Sequence, residues 1–125
     1  LKMKKIIYLL TTILLTFFSN NSLIASEKKD QYSCKPKHAA AIRSNGIHTF
    51  KIKGDEKPVL LSIYQGFLET NDMTYKLYEA GGRAFAFSPE RAWVHFQDIT
   101  VLDNGQLSFV MAVNSSISRY LCDKK

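Results

Sequence analysis

From Tyr32 onward the chain alternates short apolar or aromatic runs with turn signals, and no long stretch of helix-favouring residues interrupts them. That is the pattern of antiparallel sheet. In His48-Thr49-Phe50-Lys51-Ile52-Lys53 the alternation puts Phe50 and Ile52 on one face and Thr49, Lys51 and Lys53 on the other, with Asn45-Gly46 as the preceding turn. Thr74-Tyr75-Lys76-Leu77-Tyr78-Glu79 repeats the period of two. Ala80-Gly81-Gly82 then supplies positions that tolerate positive φ, and Arg83-Ala84-Phe85-Ala86-Phe87 answers as the second strand of a hairpin. Ser88-Pro89-Glu90 breaks the chain, and Ala92-Trp93-Val94-His95-Phe96 restarts it with aromatic and β-branched residues. Residues 99–102 and 106–113 flank Asp103-Asn104-Gly105, where Asn-Gly fits a primed two-residue turn, and residues 117–122 form the last strand.

Residues 55–68 read two ways. Asp55 and Glu56 before Pro58 make a helix start, followed by Val59, Leu60, Ile63, Tyr64, Phe67 and Leu68 at helical spacing. Val59, Leu61 and Ile63 also share one strand face, and Gly66 disfavours a helix interior, which tips the segment toward strand. About seven to eight short strands must cover their apolar face by closing on themselves or by stacking a second sheet. The expected class is therefore all-β, a small antiparallel β-barrel or sandwich, with one short helix only as the other reading of residues 55–68. Phe50, Tyr75, Phe85, Phe87, Trp93, Phe96, Phe109 and Tyr120 are the expected core aromatics.

The first 25 residues carry a different pattern. Met3-Lys4-Lys5 is followed by a 13-residue apolar run at 6–18, the polar Ser19-Asn20-Asn21-Ser22 and then Leu23-Ile24-Ala25. This is the order of a secretory signal peptide, with cleavage expected after Ala25 or Ser26. A spanning helix needs about 20 apolar residues, so no stable membrane anchor is expected after cleavage. Residues 26–125 then form a single exported β domain, periplasmic or secreted, opening on a polar lead-in at 26–31.

Export changes the reading of charge. The chain is formally +6, but Lys2, Lys4 and Lys5 lie in the leader, and removing them from the 17 basic side chains leaves 14 against 11 acidic ones. The remaining positives are dispersed, so nucleic acid is not an expected partner and only a weak attraction to anionic surfaces follows. In an oxidising compartment the two cysteines, Cys34 and Cys122, are expected to pair and to fasten both ends of the domain together.

Several features together resemble a group of small exported proteobacterial proteins of unknown function. They are Tyr32-Ser33-Cys34, Ala39-Ala40-Ala41-Ile42, Asn45-Gly46, the strand containing Phe50, Phe85-Ala86-Phe87 and the ending Tyr120-Leu121-Cys122. The resemblance spans most of residues 26–125 and implies an extracytoplasmic all-β domain with terminal cysteines. It brings no catalytic residues. Where that group carries Gly two residues before the final Cys, this chain has Tyr120. Ala80-Gly81-Gly82-Arg83 is also loosely similar to the inhibitory loop of exported c-type lysozyme inhibitors. No Ser precedes the glycine, however, and Lys53-Gly54-Asp55-Glu56 comes before that loop instead of after it, so the inhibitory residues are not carried over.

Little in the chain specifies a reaction. His38, His48 and His95 lack short metal-ligand spacing, no Gly-x-Ser-x-Gly elbow is present, and Gly81-Gly82 lacks the Gly-Lys-Ser/Thr of a phosphate loop. Asp55/Glu56 and Asn114-Ser115-Ser116 read as polar turns. Arg83, Phe85, Phe87, Arg91 and Trp93 interleave basic and aromatic groups as a stacking platform for single strands or sugars does, although strand alternation is expected to bury those aromatics. The leading expectation is an exported non-enzymatic binding module without cofactor or metal, engaging a small ligand or an envelope protein through loops or an open end. One alternative is an inhibitor that inserts the loop Glu79, Ala80, Gly81, Gly82 and Arg83 into a lysozyme-like or other envelope hydrolase. The other is a small envelope hydrolase.

Overall fold

The computed structural model describes Leu23 and residues 28–125; apart from Leu23, the leader reading of residues 1–25 lies outside the described residues. Nine strands follow in chain order: β1 (Asp30–Arg43), β2 (Gly46–Phe50), β3 (Val59–Tyr64), β4 (Phe67–Glu69), β5 (Thr74–Ala80), β6 (Arg83–Phe87), β7 (Val94–Val101), β8 (Leu107–Val113) and β9 (Ser116–Lys124). A 3-10 turn, Pro89–Arg91, sits at the break between β6 and β7, where Pro fixes φ and lacks a donor for a ladder. Each strand pairs antiparallel with the next in the order β2-β1-β3-β4-β5-β6-β7-β8-β9, and β1 also pairs with β9. That last pairing closes eight strands into a barrel and leaves β2 as an extra strand.

The long β1 makes the closure possible. Along one edge Asp30 to Cys34 pair with β3 and Ala39 to Arg43 pair with β2, while the other edge runs the length of β9. Cys34 and Cys122 face each other across the β1–β9 seam, form the expected disulfide and are completely buried. The interior of an eight-stranded barrel is narrow enough for side chains to fill. Tyr32, Leu61, Ile63, Leu68, Tyr75, Leu77, Phe96, Ile99, Leu107 and Phe109 fill it. Leu23 packs against this core, and its N–H donates to Glu79 Oε1 at 3.1 Å.

Within residues 55–68 the apolar part is strand: β3 and β4 are joined by Gln65 and Gly66 at φ of 49° and 81°, the left-handed pair that a primed turn requires. The Asn104-Gly105 turn differs from its expected form. Gly105 N–H donates to Leu102 O at 2.9 Å and Leu102 N–H to Gln106 O at 2.7 Å, so three residues span the loop and Gly105 takes the left-handed position at φ 86°. Asn104 helps hold this form, because its Oδ1 accepts from Gln106 N–H at 3.0 Å. The two short strands expected at 92–96 and 99–102 are one strand, β7, with an irregularity in its middle.

The expected aromatic core needs the largest correction. Tyr75, Phe96 and Phe109 are buried, and Tyr120 is half-buried against Phe109. Phe50, Phe85 and Trp93 are exposed at 46%, 37% and 54%, and Phe87 is only half-buried. For β6 the reason is volume. Its inward positions are Ala84 and Ala86, set between Leu77 of β5 and Phe96 and Ile99 of β7, where the narrow interior accepts only a small residue beside large ones.

Candidate functional site

With alanines pointing in, β6 must carry its bulky side chains outward. The two-residue turn Gly81-Gly82, at φ 58° and 76°, sets the β5–β6 register, placing Tyr78 opposite Phe85 and Lys76 opposite Phe87. Tyr78 stacks on Phe85 with centroids 5.2 Å apart and planes 14° from parallel, and on Phe87 diagonally at 5.6 Å and 26°. Lys76 Nζ lies 5.4 Å from the Tyr78 ring centre, within cation–π range. His95, the β7 partner of Phe87, meets it edge to face at 6.2 Å. The outer wall thus carries a continuous aromatic surface.

Beside this surface the ladder opens. Ala84 pairs with Ile99 and Ala86 with Phe96, so Phe85 alone stands opposite both Gln97 and Asp98, which is a β-bulge. Asp98 absorbs the extra residue at φ 51°, a conformation that Asp adopts more readily than most side chains. Its carboxylate is held from β9, because Arg119 Nη2 donates to Asp98 Oδ2 at 3.2 Å while Arg119 Nη1 donates to the buried Ser108 Oγ at 3.0 Å. Thr100 Oγ1 donates to Asp98 O at 3.3 Å from the far side of the bulge. Half-exposed ion pairs of this kind contribute about 0–1 kcal/mol to stability, so the contribution of Arg119 is chiefly to orient the carboxylate.

Bulge and stack enclose a groove of about 520 Å³, within the usual range of ligand sites. Phe85 and Phe87 form its wall, and Arg83, His95, Gln97 and Asp98 form its rim. Ala84, Ala86 and Phe96 complete a lining that is mostly apolar. Bulges and non-glycine residues at positive φ gather at functional sites, and both occur here at one point of the wall. A second hollow of about 250 Å³, near Gln31, Ser62, Glu69 and Lys125, has a mostly polar lining.

Of the loop singled out from the sequence, Ala80, Gly81 and Gly82 form the exposed tip of the β5–β6 hairpin with Glu79 beside them, and Arg83 turns into the groove rim. Cys34 and Cys122 lie in the seam. His38, His48 and His95 fall on β1, β2 and β7, and among the described residues no three His, Cys, Asp or Glu side chains come together. Tyr78, Gln97, Asp98 and Arg119 were not singled out from the sequence. Comparison with known protein families, curated proteins and solved structures finds no match to this chain.

Proposed function

We propose that this chain is an exported, non-enzymatic binding module that takes a small ligand in the groove over β6 and β7. One observation carries the reading: three aromatic rings are stacked on the outer wall beside a bulge whose carboxylate is fixed from a third strand. Exposed aromatic faces contribute little to folding, and apolar walls with a few convergent polar groups are what small-molecule sites share. The disulfide is consistent with an oxidising compartment, in keeping with the leader read at residues 1–25.

Native mass spectrometry of the protein purified gently from a bacterial envelope, compared with its denatured mass, tests this reading. A small-molecule adduct that persists in the wild type and disappears in Phe85→Ala/Phe87→Ala is the expected result. An adduct that survives the double substitution places the ligand elsewhere. A bare mass in every preparation removes support for a bound small ligand and turns the search to protein partners of the hairpin tip.

A further inference from the structure

We infer that the groove is built for a neutral saccharide, held with the apolar faces of its rings against the aromatic wall and its ring-edge hydroxyls on Gln97, Asp98 and Arg83. The inference rests on the groove reading above and names its ligand class. A ligand that fills this groove must differ between its faces. Against the wall it meets Phe85 and Phe87, backed by Tyr78, and at the rim it meets a carboxylate, a primary amide and a guanidinium. A sugar ring has that division, with C–H bonds projecting from its face and hydroxyls around its edge that both donate and accept.

Other ligand classes fit less of the site. An acyl chain packs against the wall but offers no hydrogen bond, and it would cover Gln97 and Asp98 without replacing the water they lose. A single-stranded nucleic acid stacks on the wall but needs a row of cations for its phosphates. Here Asp98 is already paired with Arg119, which leaves Arg83 as the cationic member of the rim with His95 beside it. Mixed donors and acceptors without a strong net charge suit hydroxyl groups. The fixed Asp98 carboxylate also requires little ordering when a ligand arrives, which favours binding of a weakly held, uncharged molecule.

The test is an NMR titration of the ¹⁵N-labelled protein with cellohexaose, maltohexaose, N-acetylchitohexaose, laurate and a dodecamer of thymidylate, each at low and high salt. At least one hexasaccharide is expected to move the amides of Phe85, Phe87, Gln97 and Asp98 saturably and with little salt dependence. Phe87→Ala should weaken that binding about tenfold, the size of one stacking contact. Phe50→Ala, which removes an exposed aromatic on β2, should leave it unchanged. If laurate moves those amides and no sugar does, the saccharide inference falls while the groove reading stands. The same holds if only the oligonucleotide binds, with the steep salt dependence of phosphate contacts. If none of the probes moves these amides, the saccharide inference falls, and the groove reading falls with it where a native adduct also survives Phe85→Ala/Phe87→Ala.

Discussion

Two sets of three aromatic rings lie on opposite sides of the same barrel wall, and they differ in how far they are buried. Inside, Tyr75 meets Phe96 at 4.9 Å and 68°, and Phe96 meets Phe109 at 5.5 Å and 64°, each residue no more than 3% exposed. Outside, Phe85 and Phe87 lie 14° and 26° from parallel to Tyr78, and Phe85 remains 37% exposed. Phe109 also stacks on half-buried Tyr120 at 5.1 Å and 11°, so the inner side uses both arrangements that aromatic pairs prefer. On the outer wall the stack leaves one flat side uncovered. The same residue type thus stabilises the fold in one place and presents a surface in the other, and burial distinguishes the two.

The largest effect on both sets of rings is expected at the seam. Cys34→Ser/Cys122→Ser releases a link across 88 residues and should lower stability by up to about 4–5 kcal/mol, read as a fall in the denaturation midpoint. Both aromatic sets should then lose order together, because both depend on closure. Phe109→Ala strikes only the inner set and should cost about 3–5 kcal/mol of unfolding free energy. Its effect on ligand affinity should be small as long as the barrel is folded. Phe87→Ala is the outer counterpart, expected to change stability by at most about 1 kcal/mol in the same denaturation experiment. An outer substitution as costly as the inner one would make the stack structural and remove its claim to be a site.

Alkaline pH offers the finest probe of the inner side. Burial raises the Tyr32 hydroxyl above its usual range, with the Asp30 charge adding to the effect, and burial alone raises Tyr120. A raised folded-state pKa means that the unfolded chain loses its proton first. The stability tied to these hydroxyls is therefore complete below about pH 10, where unfolded tyrosine titrates, and is lost as pH climbs from there through the folded-state values. Denaturation midpoints measured across that window should fall for the wild type and fall less for Tyr32→Phe/Tyr120→Phe.

Much of the fold was legible in the alternation from Thr74 to Cys122, and the outward stack was legible too, once register is used in place of single strands. A two-residue turn at Gly81-Gly82 puts Phe87 opposite Lys76, and a lysine belongs outside. Taken alone, Arg83-Ala84-Phe85-Ala86-Phe87 suggests the opposite, because hydrophobic size argues for burying the phenylalanines. The bulge left only a faint trace, an acidic residue between Phe96 and Ile99 in an otherwise apolar strand. Arg119 left none, since its partnership with Asp98 spans 21 residues and exists only because β7, β8 and β9 lie side by side. The strand character of β1 was also hidden, for the three alanines Ala39 to Ala41 have no strand preference and are held by neighbours on both edges.

The seam bridge also sets how the molecule answers tension. A force entering through the residues before Cys34 and leaving through those after Cys122 passes across one covalent bond, bypassing every strand between them. Held by its two ends, the protein can lengthen while the bond stands only by peeling the residues outside it, Asp30 to Ser33 of β1 and Asp123 and Lys124 of β9, and the wall between the cysteines with its groove carries no load. Reduction while under load would let the wall open and release 88 residues, roughly 300 Å of extended chain.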